Sequence, residues 1–320
     1  MREMTATKND AGQRLDRFLT KAVPALPGTL AQKYIRLKRI KVNGKRTERA
    51  YRLLAGDTIQ LYIGDEFFEA AAGVDAPGGP RSGTIQGAAP SRSICYEDEH
   101  ILLVDKPPGL LCHSGNTPGE PTLVDAVKAH LYRSGAWDPA KEQSFTPALC
   151  NRLDRNTGGL VLAAKTAAAL QTLNQKIRAR EIDKYYLLAV RGQPEPPAGR
   201  VEGHLVKDNR QNRVAIAGAE VEAAKTAVTE YRTLATKGDL SLVECKLITG
   251  RTHQIRVQMA ALGAPLLGDR KYGGRSAGEP YQALWAYRIH FNFPPDAGVL
   301  DYLAGREFLS GEVPKWKTLF

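Results

Sequence analysis

The segment 69–92 limits what this chain can fold into more than any other stretch. Ala, Gly, Pro and Ser dominate it, and Val74 and Ile85 are its only large aliphatics. So little apolar surface cannot offset the entropy lost on ordering. The spacing therefore predicts a linker at 69–92 between two separately cored units, a module at 1–68 and a body at 93–320. As a Gly-rich coil the linker would span roughly 25–30 Å root-mean-square, enough for the two units to grip separate parts of one large partner.

The small unit is basic. Residues 1–68 hold fourteen Lys and Arg against seven Asp and Glu, so +7 of the chain's net +11 sits on about a fifth of its length. That balance favours a polyanionic partner. Leu15, Phe18, Leu19 and Ala22 repeat at helical spacing, and Pro24 closes the stripe. A second helix is expected from Thr29 as its cap, with Leu30, Tyr34, Ile35 and Leu37 supplying apolar contacts. Ile40-Lys41-Val42 runs into Asn43-Gly44, a strong hairpin signal, and Gly56-Asp57 turns the chain into the alternating strand Thr58–Ile63. Arg36, Lys38, Arg39, Lys41, Lys45 and Arg46 cluster on this helix and hairpin and could neutralise several phosphates.

The body mixes strands and helices. Ile101–Val104 reads as a buried strand stopped by Lys106-Pro107-Pro108-Gly109. Thr122 with Asp125 and Thr166 cap two helices. Strands are expected around Tyr186–Val190, Val228–Tyr231 and Val243–Leu247. Several cofactor classes lack their signatures: there is no Gly-rich dinucleotide fingerprint and no Walker loop. Four dispersed cysteines and six scattered histidines indicate neither a zinc cage nor a disulfide framework. Reduced thiols fit a cytoplasmic protein. No run approaches 18 apolar residues, and Met1–Met4 is not followed by an apolar export signal.

One loop stands out chemically. In Asn151-Arg152-Leu153-Asp154-Arg155-Asn156-Thr157-Gly158-Gly159 a carboxylate lies between two guanidiniums, ahead of the apolar run Leu160–Ala164. Neighbouring positive charge favours its ionised form, and the two glycines allow close approach of backbone or ligand. Taken alone, an R-x-D-R segment is also an ordinary solvated turn with a local ion pair.

This loop resembles the H-R-L-D-x-x-T-S-G-L signature of the RluA-type pseudouridine synthases. Three further segments share the likeness, in order: Asp105–Leu110 with N-K-P-x-G-L, Lys184–Val190 with K-x-Y-L-A-L-V, and Gly250–Val257 with G-R-T-H-Q-I-R-V. The later Gly268-Asp269-x-x-Tyr272-Gly273 fits as well. In the basic unit, Arg14–Leu19, Ile40–Lys45 and Gly56-Asp57 resemble the S4 RNA-binding domain, which adds Arg14 to the expected RNA contacts. The resemblance implies an α+β fold: a small S4 domain, then a mixed, mostly antiparallel sheet with flanking helices. It implies Asp154 as the catalytic residue, Arg256 as its partner and Tyr186, rather than Tyr185, as the active-site tyrosine. Arg152 would support the RNA after base flipping, and His253 would either pack near the helix start or touch RNA.

The implied reaction breaks the N1–C1′ bond of a uridine, turns the base and rejoins it through C5. As an isomerisation it requires no cofactor and no metal, only a carboxylate near C1′; a glycosidase would be expected to use two opposed carboxyl groups. Whether the Asp adds to the sugar, adds to the base or removes a proton stays open. The expected substrate is large-subunit, 23S-type ribosomal RNA, free or in an assembling subunit, met by a cytoplasmic monomer with no membrane contact. A catalytically idle RNA-binding or assembly factor on the same fold is the rival, and a glycosylase that releases uracil is a third reading. Four positions depart from the family pattern: Asn151, Gly158, Gln258 and Trp285 stand for His, Ser, His and His.

Overall fold

The computed structural model describes residues 1–69, 93–115, 119–208, 211, 213–273 and 278–320. The expected linker lies outside them from residue 70 onward.

The N-terminal unit comprises β1 (Arg2–Thr5), α1 (Leu15–Ala22), α2 (Gly28–Arg36), β2 (Ile40–Val42), β3 (Lys45–Arg46), β4 (Thr58–Leu61) and a short α3 (Glu66–Glu69). Its sheet runs β1-β4-β2-β3. Leu15, Phe18 and Leu19 of α1 meet Ala31 and Ile35 of α2 over Ile40, Val42, Ile59 and Leu61, each large side chain contributing about 1.5–3 kcal/mol by leaving water. Asn43 (φ 51°) and Gly44 (φ 72°) are both left-handed, as a two-residue turn matched to strand twist requires. Asn43 is further fixed by Asp57 Oδ1, which accepts from its Nδ2 at 2.7 Å. The second helix differs from expectation. It starts at Gly28 behind Pro27 without a side-chain cap, so Thr29 lies within its first turn. The proline ring fixes φ for helix entry, and that sets the boundary earlier. Leu37, past the helix end, is exposed.

The body runs β5 (Ile94–Glu97), β6 (Ile101–Lys106), α4 (Leu123–Arg133), β7 (Ala148–Leu149), β8 (Gly158–Ala164), α5 (Ala167–Ala179), β9 (Ile182–Arg191), β10 (Ala198–Asp208), β11 (Arg213–Ala217), β12 (Lys225–Lys237), β13 (Leu240–Leu247), α6 (Gln254–Ala261), β14 (Leu284–Phe291) and β15 (Glu307–Leu309). One sheet joins these strands in the order β11-β10-β12-β13-β9-β14-β8-β6-β5, with β15 on β14 and β7 on β8. Its pairs are antiparallel except β14 with β8, which are parallel at Trp285–Gly158 and Ala286–Gly159. The architecture is α+β with a mostly antiparallel sheet.

Period-two alternation splits the apolar strands between two faces. Leu102 and Val104 join Leu123, Val127, Tyr186, Ile255 and Met259 in one core, so α4 and α6 cover that face. Ile101 and Leu103 join Leu173, Ile289 and Phe291 under α5. Both expected caps form: Thr122 Oγ1 accepts from Asp125 N, and Thr166 Oγ1 from Ala169 N. The two units touch through polar groups. Asn9 Nδ2 donates to Glu142 at 2.6 Å, Gln13 to Ser144 at 2.7 Å, and Asn9 Oδ1 accepts the first amide of α5, from Ala167, at 3.0 Å.

Candidate active site

The loop carrying Asp154 joins β7 to β8, and its backbone is held from below. Leu153 is buried, its N–H donating to Cys112 Sγ at 3.3 Å while the thiol returns a bond to its carbonyl at 3.6 Å. The Arg155 carbonyl accepts from Gly109 N at 2.9 Å and from Lys106 Nζ at 2.8 Å. That ammonium is fully buried and also donates to the carbonyls of Pro107 and Leu110. Burial, with only neutral acceptors in contact, lowers the Lys106 pKa to about 8. Thr157 N donates to the Asp154 carbonyl, and Gln282 Nε2 to Thr157 Oγ1. Gly159 (φ 108°) lies against β14: a Cβ there would stand 2.1 Å from the Ala286 carbonyl oxygen, so only glycine fits.

The Asp154 side chain is 27% exposed, so a substrate atom can reach it. Its Oδ2 accepts from Arg256 Nη1 at 3.1 Å. Arg256 is buried in α6 and gripped by Asp269, which accepts from Nε at 2.6 Å and Nη2 at 2.8 Å. This bidentate fork fixes the plane of the guanidinium and hence the direction of its third bond. Burial works against the Arg256 charge, but the hydrogen bond to Asp269 and the two carboxylate charges outweigh it and raise its pKa. Asp269 Oδ1 also accepts from Lys271 N and Tyr272 N.

His253 opens α6 in a left-handed conformation, with Nε2 3.8 Å from Asp154 Oδ2. Burial lowers its pKa to about 4 even though Asp154 pulls the other way. Near neutral pH the imidazole is uncharged, and this contact is no ion pair. Its Nδ1 shares a hydrogen bond of 2.8 Å with the Tyr272 hydroxyl, which accepts from Val214 N at 2.9 Å. Tyr186 projects from β9 into the same core and is 5% exposed. Burial foremost, then the Asp154 charge, raises its pKa, so it stays a phenol. Tyr185 lies on the other face, with the Arg288 guanidinium 3.7 Å from its ring centre. Arg152 is exposed and makes no hydrogen bond or ion pair among the described residues.

The cations of the N-terminal unit divide. Arg36 and Arg46 line a cleft between α2 and β3 together with Lys33 and Arg49. The register pairs Lys41 with Arg46 and with Gln60, so these share the outer face of the small sheet. Lys41 stands 5.2 Å from the Tyr62 ring and Arg39 5.6 Å from that of Tyr34. Lys38 (φ 62°) and Lys45 are exposed. Arg14 differs, because Asp16 occupies its guanidinium at 2.6 Å. Among the described residues no three His, Cys, Asp or Glu side chains converge to hold a metal ion, and no helix is long and apolar enough to cross a membrane.

Residues 100–261 match the family model described as RNA pseudouridylate synthase, and residues 13–59 that of the S4 domain. The chain belongs to the RNA pseudouridylate synthase family. Ribosomal large subunit pseudouridine synthase D of Nitrosomonas europaea is 30% identical over 313 residues, covering 93% of this chain and 82% of the relative. Ribosomal large subunit pseudouridine synthase C of Escherichia coli K12 is 31% identical over 272 residues, covering 84% and 79%. The solved structure of Human RNA Pseudouridylate Synthase Domain Containing 4 shares the fold, with a TM-score of 0.55 at 23% identity over 72% of this chain and 91% of that one.

The four departures from the family pattern have structural accounts. Asn151 bridges β8, its Oδ1 accepting from Leu162 N at 2.8 Å. Gln258 Oε1 accepts from Thr229 Oγ1 at 2.6 Å while its amide donates to the Val201 and Ala227 carbonyls. Gly158 and Trp285 are a single change: a Cβ on Gly158 would stand 2.1 Å from Trp285 Cζ3. The indole fills the space that a side chain at 158 would need.

Sequence reasoning missed the roles of Lys106, Cys112, Asp269 and Tyr272. Lys106, Asp269 and Tyr272 stood inside family-like motifs without a function, and that placement was the available signal. The burial of α6 extends well beyond an apolar stripe. Every residue from Gln254 to Met259 is buried, and Gln254 is satisfied by Thr249, Arg251, Val228 and Thr229.

Proposed function

We propose that this RNA pseudouridine synthase modifies uridine in large-subunit ribosomal RNA, with Asp154 meeting the positive charge that develops at C1′ as the N1–C1′ bond breaks. The base then turns, C5 bonds to C1′ and loses its proton, and N1 gains one. The observation that carries this reading is the half-open Asp154 carboxylate on the third bond of an arginine already fixed by Asp269. Arg256 orients the carboxylate and favours its charged form. Tyr186, held as a phenol beside Asp154, offers a flat ring for the flipped base. Flipping costs a few kcal/mol, and Arg152, exposed and without a partner among the described residues, would hold the RNA that has lost a base from its stack. His253, being neutral, contributes shape and a hydrogen bond rather than charge.

The ribosomal assignment is supported by the names of the two relatives over most of their length and by the basic S4 domain. Its cleft with Arg36 and Arg46, and the outer face with Arg39 and Lys41, would meet phosphates, with Lys38 and Lys45 at the margins. Arg14 orders Asp16 instead. The chain works as a monomer in this reading. Two measurements test it: tritium release from [5-³H]uridine-labelled large-subunit ribosomal RNA, and mapping of pseudouridine in cells. Asp154→Asn should abolish turnover while RNA affinity stays within a few-fold. Retained turnover would sink the assignment of Asp154, and an unchanged ribosomal map in cells lacking the protein would sink that of the substrate.

A further inference from the structure

The hairpin β10–β11 and the segment before α6 enclose a cleft of about 480 Å³ that includes Leu205, Lys207, Val214, Lys225, Arg251 and Thr252. Leu205 pairs with Lys225, and Lys207 with Val214; paired residues share a sheet face, so all four point into it. Leu205 and Val214 pack with Val257 of α6 to make an apolar floor, while both lysines stand exposed at the rim. Arg251 lines the same cleft and is exposed, with Nε donating to the Thr226 carbonyl at 2.9 Å, which anchors the side chain. Among the described residues none of these three cations makes an ion pair, whereas Arg155, Lys165, Lys176 and Arg256 of the same domain all do.

Three positive charges around one groove, with no ion-pair partner among the described residues, form an anion footprint. The groove is also coupled to the reacting centre. Thr252 precedes His253 in the chain. Val214, in its floor, donates through its N–H to the Tyr272 hydroxyl that holds His253, whose Nε2 is 3.8 Å from Asp154. We infer that this cleft takes the sugar–phosphate backbone of the substrate RNA beside the reacting uridine, Lys207, Lys225 and Arg251 each meeting phosphate oxygen. The inference rests on the pseudouridine-forming role of Asp154. Contacts of this kind set where the strand lies without reading its bases. The cleft would fix the register of the flipped nucleotide on Asp154, and the S4 domain would supply a second, separate grip.

The test uses the full chain and a transcript of large-subunit ribosomal RNA. Binding is measured across potassium chloride concentrations in an Asp154→Asn background, so that no turnover intervenes. Lys207→Gln/Lys225→Gln removes two contacts and should flatten the slope of log affinity against log salt by about 1.4, at roughly 0.7 per single-strand phosphate. In the active background the same pair should raise KM about tenfold or more while kcat stays within about twofold. Lys237→Gln/Lys317→Gln removes the same charge from exposed positions outside the cleft and should change neither. A slope and KM equal to those of the unmodified protein, or an effect matched by the control pair, would overturn the proposal. Failure of the unmodified protein to release tritium would instead condemn the reading of Asp154, and the binding slopes would still judge the cleft.

Discussion

Gly158→Ser should damage this protein although serine is the usual family residue, and Trp285→His should repair the damage. A Cβ at 158 would stand 2.1, 2.5 and 2.7 Å from Cζ3, Cε3 and Cη2 of the indole. Non-bonded carbons settle about 3.5–4.0 Å apart, so ring or strand must retreat by roughly 1.5 Å. Neither is free to do so. The two residues pair across the parallel junction of β8 and β14, and the buried indole packs with Leu187, Leu267 and Trp316. Its Nε1 donates at 2.9 Å to Ser310 Oγ, which is itself bonded to Asp105 at 2.7 Å. Overpacking of about 1–3 kcal/mol and loss of the indole bond, about 1 kcal/mol, give a destabilisation of about 2–4 kcal/mol for Gly158→Ser. Trp285→His alone leaves a void and should cost about 2–4 kcal/mol. In the double variant the serine enters that void, so the loss should not exceed about 2 kcal/mol, a coupling of at least about 2 kcal/mol. Equilibrium urea unfolding followed by far-ultraviolet circular dichroism measures all four corners of the cycle. Additivity within about 0.5 kcal/mol would refute the idea that the two departures form one packing unit.

Two other perturbations probe the support of the catalytic loop. Lys106 has a folded pKa of about 8 against an ordinary 10.5, so between those values the unfolded chain holds a proton that the folded one has released. Its contribution is full above about 10.5 and is lost as pH falls through about 8, a swing of about 3 kcal/mol. Lys106→Met should lack that rise between pH 7.5 and 10, and parallel stability–pH profiles for the two proteins would contradict the burial argument. Asp269→Asn removes the charge that grips Arg256, leaving that guanidinium anchored mainly by Asp154; stability should fall by about 3 kcal/mol and kcat by about 100-fold with KM nearly unchanged. A kcat within twofold of the original would show that Arg256 needs no second carboxylate.

Local signals in the sequence were reliable where the physics is local. The Asn43-Gly44 turn, the caps at Thr122 and Thr166 and the apolar stripe of α1 depend on residues at most seven apart, and each formed as read. Thr29 failed as a cap because Pro27 imposed an earlier helix start, a competition between two local rules that composition does not rank. The pairing of Asp154 with Arg256, 102 positions apart, was legible only through ordered motifs resembling a known family. Propensity and periodicity carry no information about a contact at that separation. The sequence by itself thus determined the basic N-terminal unit and the loop that bears the carboxylate, and its resemblance to a known family supplied the fold class. Tertiary structure alone decided that Asp269 fixes Arg256, that His253 is neutral, that Lys106 staples the loop through three carbonyls, and that Gly158 and Trp285 share one space. Each of those depends on distances between strands brought together by the whole sheet, and on a burial that turns ordinary charges and volumes into constraints.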